Sequence, residues 1–160
     1  MIVRKNKNGF GVYADSKYKK GEEICVLSGK KMSLGQLYYH KWHSRKKVDD
    51  PLQIGEGIYI DMDKPYIYLN HSCNPNAGIK NTATLFAIKN IKKGEEITFD
   101  YSTTIDESLE CKCGAKNCRG VAVDFFALPQ KVQLYYYKQN ALPNFIRKKF
   151  EKLLANKIND

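Results

Sequence analysis

Apolar residues fall in short runs separated by turn formers over the first hundred positions and, apart from one stretch after Ser33, take up a helical spacing only towards the C-terminus. Gly9-Phe10-Gly11 leads into Val12-Tyr13-Ala14, and the turn Lys20-Gly21-Glu22 precedes the apolar run Ile24-Cys25-Val26-Leu27. Ile58-Tyr59-Ile60, Thr84 to Ile88 and Glu96 to Phe99 complete the strand candidates. One helix is predicted among them. Ser33 begins it with Gln36 as capping-box partner, Leu34, Leu37, Tyr38, Lys41 and Trp42 follow helical spacing, and the polar run Ser44 to Asp50 ends it. Past Cys118 the pattern changes. Pro129 opens a helix carrying Val132, Tyr135 and Tyr136, and Pro143 opens a second with Ile146, Phe150, Leu153, Leu154 and Ile158 on one face. An amphipathic tail of this kind is expected to dock: on the same domain, on a second copy, or on a membrane surface.

A six-residue echo runs through the strand region. Lys19-Lys20-Gly21-Glu22-Glu23-Ile24 recurs as Lys92-Lys93-Gly94-Glu95-Glu96-Ile97, and nothing else recurs at that period. It reads as one glycine turn used twice, not as a repeat architecture. Only the second copy continues into Thr98-Phe99-Asp100-Tyr101.

With 160 residues, 42% of them apolar, the chain suits a single core, and no run approaches the roughly 20 apolar residues of a membrane span. A soluble monomer made for a reducing compartment is expected. The 27 Lys plus Arg against 17 Asp plus Glu give +10, which means either attraction to polyanions such as nucleic acid or a solvated lysine surface. The charge is uneven. Asp49, Asp50, Glu56, Asp61 and Asp63 form an acidic run, while Lys131, Lys138, Arg147, Lys148, Lys149, Lys152 and Lys157 dominate the tail. A basic protein can thus offer an acidic patch to a basic peptide, although the run also reads as a polar loop.

Five cysteines exclude a complete disulfide framework, and Cys111, Cys113 and Cys118 are crowded as C-x-C-x4-C. Such a loop can wrap three corners of a zinc tetrahedron. Cys73 is the natural fourth ligand and His71 the competing one; Cys25, in an apolar strand, reads as an inert buried thiol. Zinc here would tie the C-terminal loop back to Asn70-His71-Ser72-Cys73. A nucleic-acid-binding zinc protein is one reading of charge and cysteines together, though it leaves the remaining blocks unexplained.

Four blocks stand in order: Gly9-Phe10-Gly11, Tyr68-Leu69-Asn70-His71-Ser72-Cys73-Asn74-Pro75-Asn76, Gly94 to Tyr101 with its Phe99-Asp100-Tyr101 ending, and Cys111-Lys112-Cys113-Gly114 through Cys118-Arg119-Gly120. Together they resemble the SET-domain protein lysine methyltransferases with a post-SET zinc loop, over about residues 2 to 121. The resemblance implies a mostly β fold of the β-clip type with flanking helices, its small twisted sheets crossed by a pseudoknot in which the Tyr101 segment passes beneath Asn70-His71. It implies a SET domain over residues 1–108, a zinc loop over 109–121 holding one structural ion, and a helical extension over 122–160. It implies S-adenosylmethionine held by Gly9, Phe10, Gly11, Asn70 and His71, Tyr101 as the catalytic tyrosine, and Phe99 where phenylalanine leaves room for two or three methyl groups.

The chemistry asks for the same residues. A lysine must arrive neutral, and at pH 7 that costs about 4.6 kcal/mol from a reference pKa of about 10.4. A dry aromatic channel and a nearby sulfonium both lower it, and Tyr59, Tyr68 and Phe99 are the candidate walls, with Tyr66 close by. The substrate is expected to be a lysine-bearing segment of a histone tail or other basic protein, with nucleic acid secondary. A non-catalytic SET-like binding module is the alternative that keeps the scaffold. Phe125-Phe126-Ala127-Leu128-Pro129 resembles the tail opening of small stand-alone bacterial SET proteins. Action in the cytoplasm, or as a secreted effector in a host nucleus, is the corresponding expectation.

Overall fold

The computed structural model describes residues 1–6, 9–43 and 51–156. Parts of the sequence reading, the helix-ending run Ser44 to Asp50 with its acids Asp49 and Asp50, and the tail residues Lys157 and Ile158, lie outside the described residues.

Chain order is β1 (Ile2–Asn6), β2 (Gly9–Tyr13), β3 (Glu23–Val26), β4 (Gly29–Ser33), α1 (Leu34–His43), β5 (Leu52–Gly55), β6 (Ile58–Met62), β7 (Asn70–His71), β8 (Ala77–Lys80), β9 (Thr84–Ala87), β10 (Thr98–Phe99), β11 (Leu109–Glu110), β12 (Val121–Ala122), α2 (Gln130–Lys138) and α3 (Asn144–Asn156). The strands form small sheets: β1-β2, β3-β9-β8, β4-β6-β5 and β11-β12, all antiparallel, and one parallel pair, β7 with β10. In that pair Thr98 faces Asn70 and Phe99 faces His71. Strands of two to five residues bury too little alone, so each sheet depends on its neighbours for a core.

The main core gathers Val12, Leu27, Leu52, Ile60, Leu69, Ile79, Leu85, Ile97 and Phe99 from those sheets and the segments that flank their strands. A second cluster joins Phe86 and Ile88 to Phe125, Leu128, Tyr136, Leu142, Ile146 and Phe150. The helical tail therefore docks on the β8–β9 hairpin, whose Gly78 lies so close to Ala141 that a Cβ there would sit 2.7 Å from the alanine methyl. Among the described residues no helix is long and apolar enough to cross a membrane.

The capping box at α1 forms as the sequence predicts: the Ser33 N–H donates to Gln36 Oε1 at 2.8 Å and the Gln36 N–H to Ser33 Oγ at 3.3 Å. Two expectations need correction. The strand foreseen from Glu96 to Phe99 changes partner midway: Glu96 bridges to Tyr13 and the Ile97 N–H donates to Val12, so only Thr98–Phe99 pair with β7. In α3 Ile146 and Phe150 take the core and Leu153 points to solvent, 44% exposed, because four-residue spacing turns position 153 off the buried stripe.

Candidate active site at the crossing of two segments

Asn70 and His71 sit where the parallel pair brings the Gly94–Tyr101 segment against them. The Ser72 N–H donates to the Phe99 carbonyl at 3.0 Å, and Asn76, buried, accepts the Thr98 N–H on Oδ1 while its amide donates to the Glu96 carbonyl. Asparagine suits this crossing because one side chain can supply a donor and an acceptor to a strand with no neighbour on that side. Asn70 gives its amide to Phe10 O at 2.9 Å and to Glu96 Oε1 at 2.7 Å, and Asn6 donates to the same Glu96 oxygen at 2.8 Å. Glu96, which from sequence alone reads as a strand-edge acid, thus holds β1, β2 and β7 together. Gly11 lies against the same carboxylate: a Cβ there would meet Glu96 Oε1 and come within 2.7 Å of the Asn6 amide. Gly9 has φ +110°, a region that disfavours a side chain.

Tyr101 begins a 3₁₀ turn over Tyr101–Thr103 that Asp100 caps through the Ser102 N–H. The Tyr101 N–H donates to His71 Nδ1 at 3.1 Å and its hydroxyl donates to the Leu69 carbonyl at 2.7 Å. Its ring lies 5.0 Å from that of Phe99 and 5.3 Å from that of His71. Phe99 is buried. Since the Tyr101 proton is spent on Leu69, the phenol oxygen meets any ligand as an acceptor. Burial pulls His71 below the ordinary imidazole value, against the Asp100 carboxylate, which favours its charged form. A neutral ring whose Nδ1 accepts the Tyr101 N–H carries its proton on Nε2, and Nε2 lies 3.3 Å from Cys73 Sγ.

The cysteines meet as the spacing suggests. Cys73 and Cys111 sulfurs are 3.7 Å apart, and Cys111 and Cys118 sulfurs 3.6 Å. Corners of a tetrahedron with 2.3 Å zinc–sulfur bonds are about 3.8 Å apart. Backbone amides aim at the cluster: Cys73 N–H at Cys113 Sγ, 3.5 Å, and Arg119 N–H at Cys73 Sγ, 3.4 Å. Burial pushes the Cys111 thiol up to about 12, whereas at Cys113 burial is outweighed by the amides of Cys73 and Ala115 and by the neighbouring thiols, which bring it to about 6. Close sulfurs with N–H donors around them are the chemistry of a thiolate metal centre. His71 also lies within the group, since its ligand atom and those of Cys73, Cys111 and Cys113 all fall within 4.8 Å of one another. With its proton on Nε2, however, it faces Cys73 as a donor and not as a ligand. Cys25 is half-buried in β3, and burial pushes its thiol up to about 11.

A cleft of about 200 Å³ opens beside Asn70, His71 and Tyr101, and its other wall is Glu110, Cys111, Lys112 and Cys113. The cysteine loop is therefore part of the cleft. Phe10 is exposed and packs its ring 5.3 Å from Tyr68. Tyr59 stands apart: it is buried with Met32 and Leu37, and its hydroxyl donates to Asp106. Besides Glu96, sequence reading missed Asp100 and Arg119. Asp100 is 1% exposed and accepts the Arg119 Nη2 at 2.8 Å, and the only hint in the sequence is an acid set between two aromatic residues.

Residues 9–102 match the model of the SET domain. The histone-lysine N-methyltransferase mes-4 of Caenorhabditis elegans is 31% identical over 140 residues, covering 70% of this chain and 15% of that protein. The methyltransferase domain of human SETMAR superposes with a TM-score of 0.60 at 24% identity, over 76% of this chain and 57% of that one. The Chaetomium thermophilum complex ctPRC2, in an autoinhibited conformation bound to S-adenosylmethionine, gives 0.56 at 25% identity over 62% of this chain and 15% of its own. The chain spans 5% to 15% of the length of the first three curated relatives it matches. With the family's sequence model covering more than half of the chain and its fold shared with solved members, this protein belongs to the SET-domain family.

Proposed function

We propose that the chain is a protein-lysine N-methyltransferase that uses S-adenosylmethionine. One observation carries the reading: Tyr101 is fixed through its N–H to His71 and through its hydroxyl to Leu69, at the edge of a cleft whose walls are the crossing and the cysteine loop. The names of the relatives and the cofactor in ctPRC2 support the same assignment. When bound, S-adenosylmethionine supplies an electrophilic methyl group. The residues lining the cleft suit such a ligand, offering aromatic faces for a cation and amide, carboxylate and ammonium groups for its polar ends.

The residues divide the work. Asn70, His71 and the backbone around Gly9, Phe10 and Gly11 hold the cofactor, and Tyr68 narrows the entrance through its contact with Phe10. The phenol oxygen of Tyr101 accepts an N–H of the neutral lysine and so aligns its lone pair. Phe99, which brings no hydroxyl, leaves room for a lysine already methylated, so di- or trimethylation is the product. Cys73, Cys111, Cys113 and Cys118 hold one zinc ion, which keeps the second wall of the cleft in place. The substrate is a basic protein segment, for which histone tails are the first choice.

Incubation of the purified chain with labelled cofactor and histones, or with cell extract, tests the class; no labelled lysine in any protein would overturn it. Tyr101→Phe is expected to lower kcat by roughly a hundredfold, and full activity in that variant would remove Tyr101 from its role. Mass spectrometry of the exhausted reaction reads the product, and monomethyl-lysine alone would refute the part given to Phe99.

A further inference from the structure

The helical tail reaches the active site through one buried hydroxyl. Tyr136, on α2 and 2% exposed, donates to Asp100 Oδ2 at 2.7 Å. The other oxygen of that carboxylate accepts Arg119 Nη2 at 2.8 Å and the Ser102 N–H at 3.1 Å, and lies 3.5 Å from His71 Nδ1. Arg119 also donates from Nη2 to Ser102 Oγ at 3.2 Å. Asp100 thus joins three parts of the chain, the turn that carries Tyr101, the cysteine loop and the tail, and stands beside His71. A carboxylate with no exposure to water depends on each of these partners, because nothing else replaces a lost hydrogen bond.

Resting on the methyltransferase reading for its kinetic readout, we propose that Tyr136 is a positioning residue: by fixing Asp100 it sets the orientation of the turn that presents Tyr101 to the cleft. The carboxylate that Tyr136 holds is the same group that caps this turn, so a rotation at Oδ2 is transmitted to the Ser102 N–H at Oδ1 and from there to Tyr101. Tyr136 itself touches neither the cleft nor a cysteine sulfur in the contacts described. Removing its oxygen while keeping the ring leaves the packing against Phe86, Phe125 and Phe150 in place. The tail is therefore part of the machinery and not only a cover for an apolar sheet face.

The test compares the full-length wild type with Tyr136→Phe, using Tyr135→Phe as control. With the zinc-loaded protein, kcat of Tyr136→Phe is expected to fall about tenfold with KM for cofactor and peptide within about twofold, the size of one hydrogen bond to a charged group. Amide exchange at residues 101–103 should quicken by a similar factor while that of β8 and β9 stays unchanged, and Tyr135→Phe should alter neither. In an Asp100→Asn background, Tyr136→Phe should add less than about a twofold further loss. An unchanged kcat and unchanged exchange at 101–103, with only a lower melting temperature, would make Tyr136 a packing residue and overturn the proposal. So would a full tenfold loss in the Asp100→Asn background. If Asp100→Asn does not fold, exchange in Tyr136→Phe alone decides. A wild type that methylates nothing would overturn the methyltransferase reading and leave the exchange comparison to judge Tyr136.

Discussion

Lys19 to Ile24 and Lys92 to Ile97 are identical in all six residues and differ only in their place in the fold, and they turn alike. Gly21 and Gly94 have φ of +93° and +82°, and in each turn the first lysine's N–H donates to the glutamate three residues on, at 2.7 and 2.9 Å. Beyond the turns the likeness ends. Ile24 is half-buried, Val26 is 63% exposed, and Glu23 pairs with Lys80 at the surface. Ile97, Phe99 and Asp100 are buried, and Glu96 holds two asparagine amides at the cleft. Local sequence sets the turn; what the following strand crosses decides whether it carries chemistry.

That contrast can be broken most forcefully through the metal. Stripping zinc should remove the cleft wall and lower methyl transfer by on the order of a hundredfold, while far-UV circular dichroism of the sheets is retained. Loss of both together would show that the metal holds the fold as a whole. A smaller effect separates the two glutamates. Glu96→Ala should weaken cofactor binding by about tenfold, as two half-buried amides lose an acceptor, whereas Glu23→Ala should stay within the roughly 0–1 kcal/mol of an exposed pair. Calorimetric titration with S-adenosylhomocysteine reads both, and equal affinities would erase the distinction. The smallest effect should be shared: neither glycine would place a Cβ within 4 Å of any atom, so Gly21→Ala and Gly94→Ala should each cost about 1–2 kcal/mol from backbone conformation alone. Urea unfolding of both variants checks this, and a clear inequality would mean that the turns are not equivalent.

The same pair shows what was legible in the sequence. Turns, the capping box at Ser33 and the cysteine cluster depend on neighbours a few residues away or on a residue type with few uses, and their forms were readable from the chain. β1 was not, because its residues are exposed or half-buried and show no alternation. β8 was not, because Ala77-Gly78-Ile79 is buried on both faces and small at Gly78 to admit Ala141. At the site, Asn70, His71 and Tyr101 could be named from their motifs. Glu96 could not be placed, since its asparagine partners lie 90 and 26 residues away, nor could Asp100, whose partners lie 19 and 36 residues beyond it. A charge at a turn looks the same in sequence whether it faces water or a distant amide.

Distance along the chain also sets the order in which the protein can be made. Asp100 leaves the ribosome before either Arg119 or Tyr136, so its carboxylate lacks both partners until α2 has been synthesised. A nascent chain that has folded its hairpins would still lack a finished cleft. Emergence of α2 would then be the step that completes the surroundings of Asp100.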